Sequence, residues 1–284
     1  MKSMLLDNRQ NKDSSANKIQ ARREESANFE NGVKLIQLAA ELLLRKPKDE
    51  EAAKALAALA KERFMRAFNR ESARGASFEA AISANNAASA IAIISENFDE
   101  ELDMLEMVAA KLKESVPRVE SGEIEFGAFG SVVNKVNTHL YTHFEKNPEH
   151  QNKRVLNLML ECNEMLLTLA EQNDDDYGEI AGFIATRGLL RLLACAGCSE
   201  DKFVEIHADA VNGFKKLIKQ LEDKGQENAG LIAFLRNTVI PDFNQAFRML
   251  KSEANNSGRL EGFMKFIKPT TDPDDPNLGI RIHG

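Results

Sequence analysis

The sequence predicts an all-α protein, built as a multi-helix bundle or as a short solenoid of helical hairpins. Ala, Leu, Glu and Lys favour helix and dominate the chain, whereas Trp is absent and only 2 Tyr occur among 284 residues. Apolar residues recur at helical spacing, and no segment alternates polar and apolar residues as a half-buried strand would. Short turns between the predicted helices favour antiparallel neighbours, which fits both architectures.

Five segments are expected along the chain. Polar residues 1–13 predict a mobile N-terminus, and helical patterns then occupy 14–120 and 132–254. Between these two parts, "SGEIEFGAFGS" (121–131) contains three glycines and predicts an ordered loop or a domain junction. Residues 255–284 predict a short helix and then an extended or disordered tail, because Pro and Asp cluster there.

Two helices are predicted before the turn "RGAS" at 74–77. The first ends at Arg45, and Asp49 suits the positive N-terminal end of the second. Ser77 has the residue type of an N-cap for the third helix. The second helix should turn its larger apolar side chains inward, namely Leu56, Leu59, Phe64 and Phe68.

The third helix, "SFEAAISANNAASAIAII", consists almost entirely of small residues. Small side chains let neighbouring helix backbones approach closely, so the segment is either a central helix clasped by its neighbours or a simple product of helix propensity. If Asn85 and Asn86 are buried, they need hydrogen-bond partners, which a neighbouring helix would supply. A fourth helix opens at Asp99 and is expected to end before Pro117.

Five further helical segments follow in the second half. Ser199 is expected to cap one of them and Gly225 to stop it, whereas Pro241 predicts either a kink or two shorter helices that meet there. One segment carries an apolar stripe at helical spacing, formed by Val155, Leu158, Met159, Cys162, Met165, Leu166 and Leu169.

Composition limits the classes of function. The net charge of −7 argues against a general nucleic-acid binder, which needs a basic surface to displace counterions from phosphates. An odd count of three cysteines suits a reducing compartment. The apolar runs are too short for a membrane span, and the N-terminus lacks a signal-peptide pattern. We therefore expect a soluble cytoplasmic protein, or one exported without a cleaved signal peptide.

Two residue pairs suggest a zinc site. His139 and His143 are four residues apart, which stacks both imidazoles on one helix face. Cys195 and Cys198 bracket "AG" at a helix end, where a tight turn can present two thiolates. Two imidazoles and two thiolates would complete a tetrahedral structural zinc site. In the alternative interpretation, the histidines border the core and the cysteines are small buried residues near a helix end.

Three other features carry possible chemistry. Helical spacing turns His207 toward the core, which indicates either a satisfied core histidine or a general base that needs a partner. Pairing Cys162 with His207 would allow nucleophilic catalysis, although no local signature supports it. The aspartates 174–176 lack the spacing of a calcium loop and suit a helix N-terminus.

No catalytic set, nucleotide-binding loop or basic surface emerges, so no cofactor other than zinc is indicated. We predict a non-enzymatic helical protein–protein interaction module, which acts as an adaptor, a regulator or a secreted effector. Its partner is another protein, and residues 269–284 are a candidate docking segment. A metal-binding helical protein is the alternative, catalysis stays open, and the sequence leaves the oligomeric state open.

Overall fold

The computed structural model describes residues 28–45, 49–95, 98–146, 153–172, 177–195, 199–225, 228–252, 267–268 and 281–282. Ten α-helices account for nearly all of these residues, so the predicted all-α class is confirmed. They are residues 28–44 (α1), Glu50–Ala73 (α2), Ser77–Ile94 (α3), Phe98–Glu120 (α4), Phe126–Lys146 (α5), Lys153–Gln172 (α6), Tyr177–Ala194 (α7), Glu200–Lys224 (α8), Ala229–Phe234 (α9) and Ile240–Ser252 (α10).

The chain divides into two compact units, Met1–Lys111 and Leu112–Gly284, and the division falls inside α4. The loop expected at 121–131 is shorter in the structure, since α5 already begins at Phe126. Phe129 is fully buried in the first turns of α5. Burial of this ring outweighs the low helix propensity of the glycines nearby.

In the first unit, α2 packs against α3. Ala53, Ala57 and Ala60 of α2 are fully buried, whereas Leu59 is 51% exposed. The inward orientation expected of Leu59 is therefore wrong, although Phe64 and Phe68 are buried as predicted. Two helices that approach closely have room for alanine but not for leucine between them.

The turn between α2 and α3 is set by Gly75, whose φ of +71° favours glycine. Its amide donates to the Ser72 carbonyl, and the Ala76 amide donates to the Glu71 carbonyl. This pair of bonds is a Schellman motif. Ala76 then serves directly as the N-cap of α3, so Ser77 is the first helical residue and not the predicted cap.

Helix α3 is buried on more than one side, since 11 of its 18 residues are buried. This extent supports the central-helix interpretation of its small residues. Asn85 is buried, but Asn86 donates to the Ile82 carbonyl of its own helix, 2.9 Å away, and not to a neighbouring helix. A hydrogen bond to the i−4 carbonyl satisfies the amide locally.

Helix α1 is attached to α2 near one end. Phe29 meets Phe64 edge to face with ring centroids 5.6 Å apart, and Arg63 donates to the Asn28 side chain at 2.9 Å. An ideal Cβ placed on Gly32 would lie 2.8 Å from Cε1 of Phe64. The ring of Phe64 therefore occupies the space that any side chain at position 32 would need.

Helix α4 continues through Pro117 to Glu120, so the expected end before Pro117 is wrong. Proline removes the amide that would bond to the Lys113 carbonyl. Pro117 and Lys113 are both exposed, so water can replace the missing hydrogen bond.

In the second unit, consecutive helices α5 to α8 pack against one another, and α10 packs on α7 and α8. Every member of the stripe predicted on α6 is buried. Ser199 and Gly225 flank α8 as expected, although Ser199 makes no side-chain capping bond. A π-helical segment, Leu235–Val239, joins α9 to α10, and Pro241 lies in the first turn of α10. The backbone stays helical at Leu235 and Ile240, so the chain passes from α9 into α10 through the π-helical segment before Pro241.

The C-terminal region has one described feature, a pair of two-residue antiparallel strands. Ile267–Lys268 (β1) pairs with Arg281–Ile282 (β2), and Ile267 lies opposite Ile282. Two-residue strands are too short to show an alternating sequence pattern, so this pair was not predicted. The remainder of the short helix and tail expected at 255–284, like the N-terminus expected at 1–13, lies outside the described residues.

We predict that Gly32→Ala lowers the free energy of unfolding by about 1 kcal/mol. The new methyl group is crowded against the buried Phe64 ring, and this crowding costs more free energy than the higher helix propensity of alanine provides. Gly130→Ala is the matched control, because its Cβ would meet only Leu166, at an ordinary 3.8 Å. That control should stabilise the chain by about 0.5 kcal/mol. Urea unfolding followed by circular dichroism measures both changes, and equal stabilisation by the two alanines would contradict the packing at Gly32.

Candidate functional site

The predicted histidine pair lies on α5, which is helical without interruption from Phe126 to Lys146. His139 and His143 are both half-buried, and Val136 and Leu140 beside them are fully buried. The helix therefore carries both imidazoles on one face at the border of the core, as their spacing predicts.

Cys195 directly follows the last helical residue of α7, and its amide donates to the Leu192 carbonyl. Cys195 is disulfide-bonded, which departs from the reduced state expected of the cysteines. A disulfide sulfur offers no thiolate to a metal ion, so a zinc site at this residue needs a reduced chain. Cys198 lies outside the described residues.

Within the described ranges, no group of three or more His, Cys, Asp or Glu side chains is placed to hold a metal ion. His139, His143 and Cys195 are therefore not gathered into a three-ligand set. The four-ligand zinc site, which also needs Cys198, stays a prediction. The aspartates at 174–176 likewise lie outside the described residues.

His207 on α8 contacts three residues of α10. Its Nε2 lies 2.7 Å from Oδ1 of Asn244, so the ring nitrogen donates to the amide oxygen. The imidazole stacks on Phe243 at a centroid distance of 5.9 Å and meets Phe247 edge to face at 4.9 Å. These contacts use the ring to join two helices, which favours the core-histidine interpretation over a general base.

Acidic neighbours of His207 on its own helix are engaged elsewhere. Asp209 accepts from Arg191 of α7 at 2.8 Å, and Glu205 lies 3.9 Å from the same guanidinium. Neither carboxylate is therefore free to orient the imidazole for catalysis. Sequence reasoning missed Asn244 as the partner of His207, because the two residues are 37 positions apart and only helix packing brings them together.

Cys162 is a free thiol, fully buried in the stripe of α6. Burial, assisted by the nearby charge of Glu161, raises the pKa of the Cys162 thiol to about 12. The thiolate is the nucleophilic form, so this cysteine is inert at neutral pH. The proposed Cys162–His207 catalytic pairing has no chemical support from this environment.

Helix α1 differs from the other long helices in its exposure. Within residues 28–44, only Gly32 and Ala39 are buried, although the segment is rich in apolar residues. Leu38 is 47% exposed and Leu44 is 83% exposed. Large exposed apolar side chains grouped on one element are typical of binding surfaces.

Comparisons with protein-family models, with curated proteins and with solved structures found no match to this chain. Among the helices described, none combines the length and the apolar character needed to cross a membrane.

We predict that Cys162 resists thiol labelling in the folded chain. In the double variant Cys195→Ser/Cys198→Ser it is the only cysteine, so a thiol reagent such as dithiobis(nitrobenzoate) reports on it alone. Labelling should be negligible at about pH 8 and still slow at about pH 10, because both values lie well below the raised pKa. In urea the thiol is exposed and should react at once. Rapid labelling without urea would show that the thiol is accessible and able to act as a nucleophile.

The zinc prediction applies to reduced protein purified without chelators. Elemental mass spectrometry should find about one zinc per chain, and His143→Ala and Cys198→Ser should each remove it. Cys162→Ala is the matched control and should keep the metal, since the buried Cys162 is not among the predicted ligands. Absence of zinc from the reduced wild-type chain would refute the site.

Proposed function

We propose that this chain is a non-enzymatic helical protein–protein interaction module and that α1 forms its binding surface. The main support is the exposure of α1, which buries only Gly32 and Ala39 and leaves Leu38 and Leu44 open to solvent. Burial of such side chains against another protein is favourable by about 25 cal/mol for each Å² removed from water.

The surroundings of His207, Cys162 and Arg191 support the same proposal. His207 is engaged by Asn244 and two phenylalanines, and Cys162 is held as a neutral buried thiol. Arg191 joins α7 to α8 through Asp209. Each of these groups contributes to packing between helices, which is the role expected in a binding scaffold.

Cross-linking in extracts of the cells that naturally produce the protein tests the proposal. Lys34 is exposed and four residues from Leu38, so an amine-reactive cross-linker can report what lies against α1. We expect Lys34 to be joined to another polypeptide, and Leu38→Asp to reduce this product on the order of tenfold, because a buried charge without a partner is costly.

The matched control is Leu59→Asp, which changes an equally exposed leucine on α2 and should leave the Lys34 product intact. A mixture of ¹⁵N-labelled and unlabelled chains identifies products that join two copies. If Lys34 gives only cross-links within its own chain, or if both variants act alike, α1 is not the binding surface.

A further inference from the structure

The exposed side of α1 carries an apolar seam formed by Leu35, Leu38 and Leu42. Spacings of three and four residues place these leucines in one stripe along the helix. Leu38 in the middle is 47% exposed, and Leu35 and Leu42 are half-buried. The seam is therefore only partly covered within the first unit.

Two charged residues border this seam on the same flank, Lys34 and Glu41. They are seven residues apart, close to two full helical turns, so they point in nearly the same direction. Both are exposed, and neither makes an ion pair or a side-chain hydrogen bond with another described residue. Each is therefore available to a charge of opposite sign on an approaching surface.

The charge order along α1 is complementary to its own reverse. Lys34 and Glu41 read positive and negative on either side of Leu38. Lys34 lies roughly 6 Å from Leu38 along the axis and Glu41 roughly 4.5 Å on the other side. A second α1, turned by a two-fold axis near Leu38, places its Glu41 opposite Lys34 and its Lys34 opposite Glu41.

We propose that the partner of this surface is a second copy of the chain, bound with the two α1 helices antiparallel. Two-fold symmetry makes each contact twice, so one Lys34–Glu41 pairing becomes two. In a parallel two-fold arrangement the charged flanks of the two helices lie on opposite sides of the seam, so Lys34 and Glu41 of one copy do not meet those of the other. Only the antiparallel form brings Lys34 of one copy to Glu41 of the other, so charge complementarity favours that form.

The interface is a small one. Helix α1 spans 17 described residues, or roughly 25 Å, so a single pair of such helices buries less than the 1,200–2,000 Å² of standard stable complexes. The dimer is therefore weak and depends on concentration. This inference rests on the proposed function, because it names the partner of the same surface.

Sedimentation velocity of the full chain at low salt, over a range of concentrations, tests the dimer. Wild-type chains should associate as concentration rises. Lys34→Glu and Glu41→Lys should each weaken association on the order of tenfold, since each turns two opposite-charge pairs into two like-charge pairs. Lys54→Glu, at an exposed lysine on α2, is the matched control and should dimerise like the wild type.

Mixing the two charge variants gives the decisive measurement. A Lys34→Glu chain and a Glu41→Lys chain present complementary flanks, so the mixture should form a heterodimer at concentrations where each variant alone associates less than the wild type. A change in helix stability alone cannot produce this rescue.

A wild-type chain that stays monomeric, or charge variants that dimerise unchanged, would overturn the self-association. If the pure chain is monomeric while Lys34 still cross-links to a different polypeptide, the interaction function stands and only its proposed partner is wrong. If both measurements fail, the proposed function falls as well.

Discussion

Phe64 of α2 fills the space that Gly32 of α1 leaves open, and Phe243 of α10 lies where a side chain on Gly188 of α7 would be. In both places one helix contributes a ring and the other contributes no side chain at all. Interiors are packed to near-crystalline density, so such a contact fixes how closely two backbones approach. The buried alanines of α2 apply the same constraint, because close approach of a neighbouring helix leaves no room for larger groups.

The polar residues of the second unit follow from this packing. Once α8 and α10 are drawn together around Phe243, His207 and Asn244 face each other and need one another as hydrogen-bond partners. Arg191 then joins α7 to α8 at the edge of the same assembly. Side chains that could carry chemistry are in this way used for packing between helices, whereas α1 keeps large apolar side chains exposed.

Much of the fold could be predicted from single-helix patterns. The stripe on α6 follows directly from spacing, and Gly225 and Pro241 mark boundaries through local backbone chemistry. The exposure of Leu59 could not be predicted from the sequence. It depends on how closely the neighbouring helix approaches α2 and not on the hydrophobicity of Leu59 itself. The prediction that α4 ends before Pro117 was wrong for a related reason. The helix can lose the hydrogen bond of this residue only because Pro117 lies on an exposed face, and the sequence does not show that exposure.

Sequence patterns are limited in the same way for the candidate sites, because they do not show contacts between helices. Spacing alone places His139 and His143 on one face, but it says nothing about which residues other helices bring to that face. The contact between His207 and Asn244 spans two helices and leaves no signal in either segment. Local sequence therefore indicates which side chains share a surface, and only the packing of helices decides which surfaces meet.

The small number of buried residues in α1 has a consequence for local unfolding of the protein. Because only Gly32 and Ala39 of this helix are buried, its release from α2 exposes less apolar surface and costs less free energy than global unfolding. Backbone amides of α1 should thus exchange with solvent through local opening, well before those of the enclosed α3. Among the described helices, α1 is therefore the one that proteases should cut first, unless a bound partner holds it against α2.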